Sequence, residues 1–391
     1  MTNRVAERMG RLSTESAFQI LARANELEKQ GKHIVHLEIG QPDFKTPQNI
    51  IEACYKAMND GKTGYGPTPG IPELREAIAK YVGDYKNVKT NINEIVVVPG
   101  GKPVMFFTML MLCQKGDEAI YPNPGFPIYE SSINFAGAKP VPMPLLEENN
   151  FRVDLNKLKE SINDKTRVII LNNPANPTGG LFSHDDIRAI ADMVRDKDIY
   201  IMSDEIYDRI YFGEKPLSIA SLPGMKDKTI ILDGFSKTYS MTGWRLGYGI
   251  MNEELAKHMS MLMVNSASCT ATMNQWAAVE ALKGPQDEVN KMVAAFKERR
   301  DYLVKALNDI PGIKCAMPEG AFYAMPNISS FGIPSKEFAT RLLEEGGVAA
   351  AWGTAFGSFG EGLIRLSYAN SLENLKIAVD RIAAFTKTLK K

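Results

Sequence analysis

The chain has 391 residues, of which 44% are hydrophobic and 24% are charged, a composition typical of a globular protein with a large core. Lysine plus arginine and aspartate plus glutamate number 46 each, so its charge gives no reason to expect a nucleic-acid or membrane partner. The longest apolar stretch, VMFFTMLMLC (104–113), is too short to span a bilayer and indicates a core helix.

The cysteines and the N-terminus indicate a reducing compartment. The four cysteines lie far apart in the chain: Cys54, Cys113, Cys269 and Cys315. Because none forms a CxxC pair or lies at metal-ligand spacing from a histidine, we expect inert thiols and no metal site. The segment MTNRVAERMGRLSTES (1–16) lacks the apolar core of a signal peptide. We therefore expect a cytoplasmic protein.

Helical spacing of apolar residues predicts the first helices over residues 15–30, 47–60 and 72–86. Gly31 ends the first of these helices. A short strand, HIVHLEIG (33–40), follows it, and a loop rich in glycine and proline, GKTGYGPTPG (61–70), separates the other two.

Five short runs rich in β-branched residues come next: EIVVVPG (94–100), DEAIYP (117–122), RVIILNNP (167–174), IYIMSDE (199–205) and KTIILDG (228–234). Helical patterns separate most of them, over residues 102–114, 126–136, 154–162 and 183–197. Apolar strands that alternate with helices indicate an α/β fold with a mainly parallel sheet flanked by helices. The active site of such a sheet forms at the carboxyl ends of its strands.

The last third of the chain has a different rhythm. A long helix is predicted over 286–308, and shorter helices over 335–345 and 371–389. Four strands are predicted among them: GIKCAMP (312–318), AFYAMPNI (321–328), VAAAWG (348–353) and LIRLSYA (363–369). We expect a large domain over 46–285 and a smaller α+β domain over 286–391, which the N-terminal segment 1–45 joins.

The chemistry of the residues at the predicted strand ends points to one cofactor. Lys237 offers an amine that reacts with aldehydes, and Arg245 offers a fixed fork for a phosphate. Gly101 precedes a helix whose N-terminal N–H groups can bind an anion. Asp204 ends a buried strand and needs a cationic partner there. An aldehyde, a phosphate and a cationic ring nitrogen occur together in pyridoxal 5′-phosphate.

Other cofactor motifs do not explain these residues. GYGPTPG (64–70) contains GxG, but its third glycine comes one place late and no strand precedes it, so a dinucleotide-binding loop is excluded. The chain also lacks the GxxxxGK[ST], HExxH and GxSxG motifs.

The ordered motifs resemble those of the class I/II aminotransferases of pyridoxal-phosphate fold type I, over essentially the whole chain. Besides LIRLSYA they are HLEIGQPDF (36–44), NNPANPTGG (172–180), SDEIY (203–207) and DGFSKTYSMTGWRLGY (233–248). The likeness is greatest to the aspartate and aromatic aminotransferase subgroup. It implies an active homodimer with two half-reactions, in which an amino acid and a 2-oxo acid exchange the amino group.

The resemblance implies a role for each residue around the cofactor ring. Lys237 corresponds to the lysine that bonds covalently to the cofactor and then acts as the general base, and Asp204 to the partner of the pyridine nitrogen. Tyr207 and Asn176 correspond to residues that bind the 3′ oxygen, and Phe126 to the aromatic that stacks on the ring.

For the phosphate, the resemblance implies Arg245 and Ser236 together with the backbone at Gly101 and Lys102. Tyr65 corresponds to a residue that reaches the phosphate of the neighbouring subunit. Family members often carry a serine three residues before the lysine, whereas this chain has Gly234. A hydroxyl contact from that side is therefore not expected.

For the substrate, Arg365 corresponds to the arginine that binds the α-carboxylate, aided by Asn176 and by the backbone at Gly40. Lys102 corresponds to a lysine that meets the distal carboxylate in aspartate-using relatives, although as the first residue of a helix it could also point to solvent. Glu15 falls where some aspartate-specific members have a small hydroxyl residue, but Ser13 and Ser16 are close enough to take that place.

We therefore expect an aminotransferase of aspartate type or of broad specificity, with 2-oxoglutarate as acceptor. Two alternatives are a β-lyase or synthase on the same fold and a non-catalytic regulatory module. Such modules usually carry a basic DNA-binding domain, and this chain has no spare N-terminal segment of that kind.

Overall fold

The computed structural model of the protein describes residues 5–13 and 16–389. Its strands are β1 (Val35–His36), β2 (Ile95–Val98), β3 (Glu118–Asn123), β4 (Lys139–Pro144), β5 (Thr166–Asn172), β6 (Tyr200–Asp204), β7 (Thr229–Gly234), β8 (Gly247–Ile250), β9 (Tyr323–Ala324), β10 (Val348–Ala349), β11 (Ala351–Trp352) and β12 (Ile364–Ser367). Its α-helices are α1 (Ser16–Lys29), α2 (Gln48–Asn59), α3 (Pro72–Lys86), α4 (Lys102–Leu112), α5 (Ile128–Ala136), α6 (Leu155–Ser161), α7 (His184–Val194), α8 (Glu253–Ser266), α9 (Thr272–Lys283), α10 (Asp287–Asn308), α11 (Ser335–Arg341) and α12 (Leu372–Leu389).

Seven strands form one sheet in the order β2-β8-β7-β6-β5-β3-β4. The neighbours from β7 to β4 pair in parallel, and β8 runs antiparallel to both β2 and β7. Successive strand residues point to opposite faces of a sheet. In β2, accordingly, Val96 and Val98 pack with α4, α5 and α8, whereas Ile95 and Val97 pack with α2, α3 and α9. Helices cover both faces, which confirms the predicted α/β class.

Two small sheets lie in the rest of the chain. Strand β1 pairs in parallel with β10, and β12 pairs antiparallel with both β11 and β9. Val35 and Leu37 share a core with Phe296 of α10, Phe338 of α11 and Ile364 of β12. The N-terminal segment therefore packs against the C-terminal part of the chain. The domain boundaries at residues 45 and 285 stay a prediction.

The structure corrects several predicted elements. GIKCAMP (312–318) forms no strand and contributes only an isolated bridge from Lys314 to Asn327. VAAAWG (348–353) is divided into the two short strands β10 and β11. Strand β4 was not predicted because its sequence, KPVPMP, contains three prolines. These prolines are tolerated because β4 is an edge strand and needs ladder hydrogen bonds on one side only.

Strand β8 and helices α8 and α9 were also not predicted. Strand β8 has the sequence GYGI, in which two glycines mask the pattern of a strand. No helix in the described ranges, 5–13 and 16–389, has the length and apolar character needed to cross a lipid bilayer.

We predict that Gly247→Ala destabilises the fold, because the new Cβ would lie 2.8 Å from the carbonyl carbon of Gly100 and from the nitrogen of Gly101. Two backbone segments cannot both move without disturbing the sheet, so the free energy of unfolding should fall by about 1–3 kcal/mol. The measurement is the midpoint of denaturant unfolding.

Gly83→Ala in α3 is the control, since a Cβ there meets nothing within 4 Å. An alanine inside a helix should leave stability unchanged or raise it by about 0.5–1 kcal/mol. Equal midpoints for the two variants would contradict the close approach of β8 to residues 100 and 101.

Candidate active site

A cavity with a volume of about 550 Å³ lies where the parallel strands end. It is lined by eleven of the twelve predicted site residues: Gly40, Gly101, Lys102, Phe126, Asn176, Asp204, Tyr207, Ser236, Lys237, Arg245 and Arg365. Tyr65 is not among the lining residues, and its side chain is 94% exposed. The large sheet brings Asn176, Asp204 and Lys237 together because β5, β6 and β7 run parallel and their carboxyl ends meet at one edge. Gly40 and Arg365 come from the segment after β1 and from β12, outside that sheet.

Asp204, the last residue of β6, is a deeply buried acid. Its Oδ2 accepts a hydrogen bond of 2.6 Å from the Tyr129 hydroxyl, and its Oδ1 accepts one of 3.2 Å from the backbone N–H of Ile206. Burial raises the pKa of the Asp204 carboxyl to about 7, although both hydrogen bonds act in the opposite direction. The ionised form therefore needs a cation beside it.

Lys237 follows β7 by three residues, and its Nζ donates a 2.6 Å hydrogen bond to the carbonyl of Gly40. That carbonyl belongs to the segment after β1, so the N-terminal part of the chain orients the lysine amine. Gly40 has no room for a side chain, because a Cβ would lie 2.1 Å from the Tyr323 hydroxyl oxygen.

Arg365, in β12, is buried and held from several sides. Its Nη1 donates a 3.0 Å hydrogen bond to Asn176 Oδ1, and its Nη2 donates to the carbonyl of Glu38. The guanidinium carbon lies 4.5 Å from the ring centre of Tyr323 and 4.7 Å from that of Phe356. These contacts fix a planar fork at the cavity wall, which suits a carboxylate.

Two tyrosines of the site were missed in the sequence. Tyr129 binds the Asp204 carboxylate, and the Tyr323 and Tyr207 hydroxyls form a 2.9 Å hydrogen bond. The sequence gives one weak indication of Tyr129, which lies three residues after the predicted site residue Phe126. In the structure the two rings meet edge to face, with their centres 5.8 Å apart. Tyr323 carries no signal of its own, because only the folded chain brings it to Tyr207.

A concave region lined by backbone and cationic groups lies at the start of α4. Arg245 adopts a left-handed backbone conformation with φ +54°, and its Nη1 donates a 2.8 Å hydrogen bond to the carbonyl of Thr242. A Cβ at Gly100 would lie 2.1 Å from Arg245 Nη2, so this glycine makes room for the guanidinium. The backbone N–H groups of Gly101 and Lys102 and the Ser236 side chain complete a set of donors for an anion.

The structure explains why Gly234 departs from the family serine. A Cβ there would lie 2.9 Å from the Cα of Gly247 and 3.0 Å from the carbonyl oxygen of Leu246. The close approach of β7 to β8 thus excludes a side chain at this position.

The cavity mouth holds the residues on which substrate choice was expected to depend. Lys102 begins α4, is exposed, and places its Nζ 5.7 Å from the ring centre of Phe126. Ser16 lines the cavity, whereas Ser13 is exposed and its backbone N–H binds Ser131 Oγ at 3.0 Å. Glu15 lies outside the described residues.

These residues fit pyridoxal phosphate. The protonated pyridine nitrogen would provide the cation that the buried Asp204 carboxylate requires. Arg245, Ser236 and the start of α4 would hold the phosphate, and Lys237 would provide the amine for the aldehyde. Each of the three chemical groups of the cofactor has a matching group in this one cavity.

Comparisons with known proteins agree with this chemistry. Residues 32–382 match the family described as "Aminotransferase class I and II". The chain is 38% identical to an aspartate aminotransferase of Bacillus subtilis, over 98% of this chain and 99% of that protein. It is 40% identical to a probable aspartate/prephenate aminotransferase of Aquifex aeolicus, over 98% of each chain.

Among solved structures, aspartate aminotransferase from Thermus thermophilus with maleate superposes with a TM-score of 0.94 at 34% identity, over 98% of this chain and 100% of that one. The large sheet therefore has the fold of pyridoxal-phosphate fold type I. From the family match and these full-length likenesses, this chain belongs to the class I and II aminotransferases, which are transaminases that use pyridoxal phosphate.

Proposed function

We propose that the protein transfers the amino group between an amino acid of aspartate type, or a broader set, and a 2-oxo acid, with 2-oxoglutarate as acceptor. The observation that carries the proposal is the single cavity lined by Lys237, Asp204 and Arg365. Aspartate as donor is supported by the relatives that are named aspartate aminotransferases. The solved Thermus enzyme with maleate, which is a dicarboxylate, supports it as well.

Each residue then has a defined task. When bound, pyridoxal phosphate supplies a ring that withdraws electrons from the substrate Cα. Asp204 would accept a hydrogen bond from the pyridine nitrogen and would keep that nitrogen protonated. The Lys237 amine removes the proton from the substrate Cα, and a positioned base of this kind contributes about 10²–10⁴-fold to the rate. Tyr207 and Asn176 would bind the 3′ oxygen, and Phe126 would cover one face of the ring.

Substrate binding follows from the charges at the cavity wall. Arg365 binds the α-carboxylate with its planar fork, and the Asn176 amide and the Gly40 backbone lie beside it. Lys102 at the cavity mouth attracts the distal carboxylate of a dicarboxylic substrate. The Tyr323 and Phe356 rings keep water from the Arg365 guanidinium, which strengthens its hydrogen bonds to the substrate.

We further propose that the active unit is a homodimer in the cytoplasm. Tyr65 would complete the phosphate site of the neighbouring subunit, which accounts for a tyrosine that is 94% exposed in one chain. Helix α2 exposes Ile51, Tyr55 and Met58, an apolar surface that a second subunit would cover. Four free cysteines suit a reducing compartment.

We predict that aspartate or glutamate converts the bound cofactor to its amino form faster than neutral amino acids do. The measurement is the loss of the holoenzyme absorbance in a rapid-mixing panel of amino donors, with the 2-oxo acid product quantified. Lys237→Ala should bind cofactor but give no conversion, while the exposed Lys257→Ala should behave as the unmodified protein. Ammonia and pyruvate as products would indicate a lyase, and absence of conversion by every donor would exclude transamination.

We predict that Arg365→Lys weakens substrate binding, because lysine cannot offer two parallel hydrogen bonds to a carboxylate. The KM for the amino donor should rise roughly 10–100-fold, as expected for the loss of a hydrogen bond between charged groups. Steady-state kinetics measures it, with Arg341→Lys, an exposed arginine paired to Glu345, as control. An unchanged KM would mean that another residue binds the α-carboxylate.

We predict that Tyr65→Phe lowers the affinity for pyridoxal phosphate roughly 10- to 100-fold, the effect of one hydrogen bond to a charged group. Equilibrium titration of the apoenzyme measures this, with Tyr302→Phe, at a partly exposed tyrosine of α10 outside the cavity lining, as the control. Light scattering should give twice the 43.3 kDa of one chain. A monomeric mass, or equal affinities for the two variants, would contradict a site shared between subunits.

A further inference from the structure

One lysine is buried among three carboxylates beside the cavity. Lys86 ends α3, and its Nζ lies 2.8 Å from Glu205 Oε2, 2.6 Å from Asp208 Oδ2 and 2.8 Å from Asp233 Oδ2. None of the four side chains is more than 6% exposed. We call these four residues the Lys86 cluster.

The cluster and the cavity share the same stretches of chain. Three cavity residues each directly precede an acid of the cluster: Asp204 before Glu205, Tyr207 before Asp208, and Leu232 before Asp233. Asp204, the last residue of β6, lines the cavity, whereas Glu205, the first residue after the strand, contacts Lys86 on the other side. The position of each cavity side chain therefore depends on how firmly its neighbour is held.

The hydrogen bonds of the cluster hold those neighbours in place. Glu205 Oε1 accepts from the Ser203 and Ser218 hydroxyls at 2.8 and 2.7 Å, and its Oε2 accepts from Lys86. Asp233 accepts from the Tyr248 hydroxyl at 2.9 Å and from the N–H of Gly234 at 2.6 Å. Glu205 thus accepts hydrogen bonds from three donors, which fix the orientation of its side chain.

The charges of the cluster do not balance. One ammonium faces three carboxylates, and burial raises the pKa of Asp208 to about 7 and also raises that of Asp233. Other titratable or charged side chains act on the same buried groups: Tyr81, Tyr85, Lys215, Tyr239 and Tyr248. Arg209 and Lys215 lie over the ring of Tyr85, at 5.0 and 3.8 Å from its centre, whereas Lys86 contacts all three acids.

We propose that Lys86 is a positioning residue for the cofactor site. Through the three acids, Lys86 fixes the ends of β6 and β7, and its positive charge partly cancels the effect of their negative charges on Asp204. This rests on the proposed role of Asp204 as partner of the pyridine nitrogen. The negative charges of Asp233 and Glu205 already disfavour ionisation of Asp204 and raise its pKa. Without the Lys86 ammonium, that effect would be larger.

Two substitutions of opposite charge should act in opposite directions. The pH midpoint of the holoenzyme absorbance reports protonation of the Lys237 Nζ when this nitrogen is bonded to the cofactor. Added negative charge nearby raises this midpoint. Lys86→Met should raise it by about 0.5–1 pH unit, a reasonable effect for one unit charge at an effective ε near 20. Glu205→Gln should lower it by a similar amount, since the amide can still bind Lys86 and the two serines.

Lys80→Met is the matched control, because it removes the same charge from the same helix. Lys80 is 75% exposed and pairs with Asp84, so the midpoint should not move. The titration uses no substrate, so its outcome is independent of transamination by the unmodified protein, which tests the proposed function separately.

Shifts of opposite sign for Lys86→Met and Glu205→Gln, with none for Lys80→Met, are the expected result. Shifts in the same direction, or a midpoint unchanged in both cluster variants, would overturn the proposal and leave the cluster a purely structural feature. If Lys86→Met does not fold, Glu205→Gln decides alone: a lower midpoint supports the charge effect, and an unchanged or higher one overturns it.

Discussion

The site depends on burying the Asp204 carboxylate at the carboxyl end of β6. A charge so far from water is costly unless a cation or several hydrogen bonds compensate it. The chain supplies the Tyr129 hydroxyl and the Ile206 N–H, and we propose that the pyridine nitrogen of the cofactor meets the remaining demand. Binding of pyridoxal phosphate and stability of this strand end are therefore two aspects of one electrostatic requirement.

The parallel sheet places the other residues of the site beside this buried carboxylate. Because β5, β6 and β7 end together, residues far apart in the chain line one cavity, and the glycines at 100 and 247 let the segment before α4 approach β8 closely. The proposed substrate side comes from β12 and from the segment after β1. Arg365 and Lys237 both donate to carbonyls of that segment, at Glu38 and Gly40.

Much of this arrangement could be predicted from the sequence. Asp204 and Lys237 follow strongly apolar strands, and the motifs around them and around Arg365 resemble a family in a fixed order, so sequence position alone indicated their neighbourhood. Tyr129, Tyr323 and Lys86 could not be found in this way. Their partners lie 75, 116 and 119 residues away, and only tertiary packing brings them together. Strand β4 was not predicted because prolines normally argue against a strand. They are compatible with an edge strand, but the sequence does not show which strand lies at the edge of the sheet.

The change from a cavity residue to a cluster residue at the end of β6, from Asp204 to Glu205, restricts how this sequence can change. A slip of one residue in a strand exchanges its two faces. Inserting or deleting one residue within β6 would turn Asp204 toward Lys86 and Glu205 toward the cofactor, although the composition of the motif would hardly change. The length of this stretch is thus as restricted as its residue types. Variants with an insertion or deletion there should lose function even where both acids are retained.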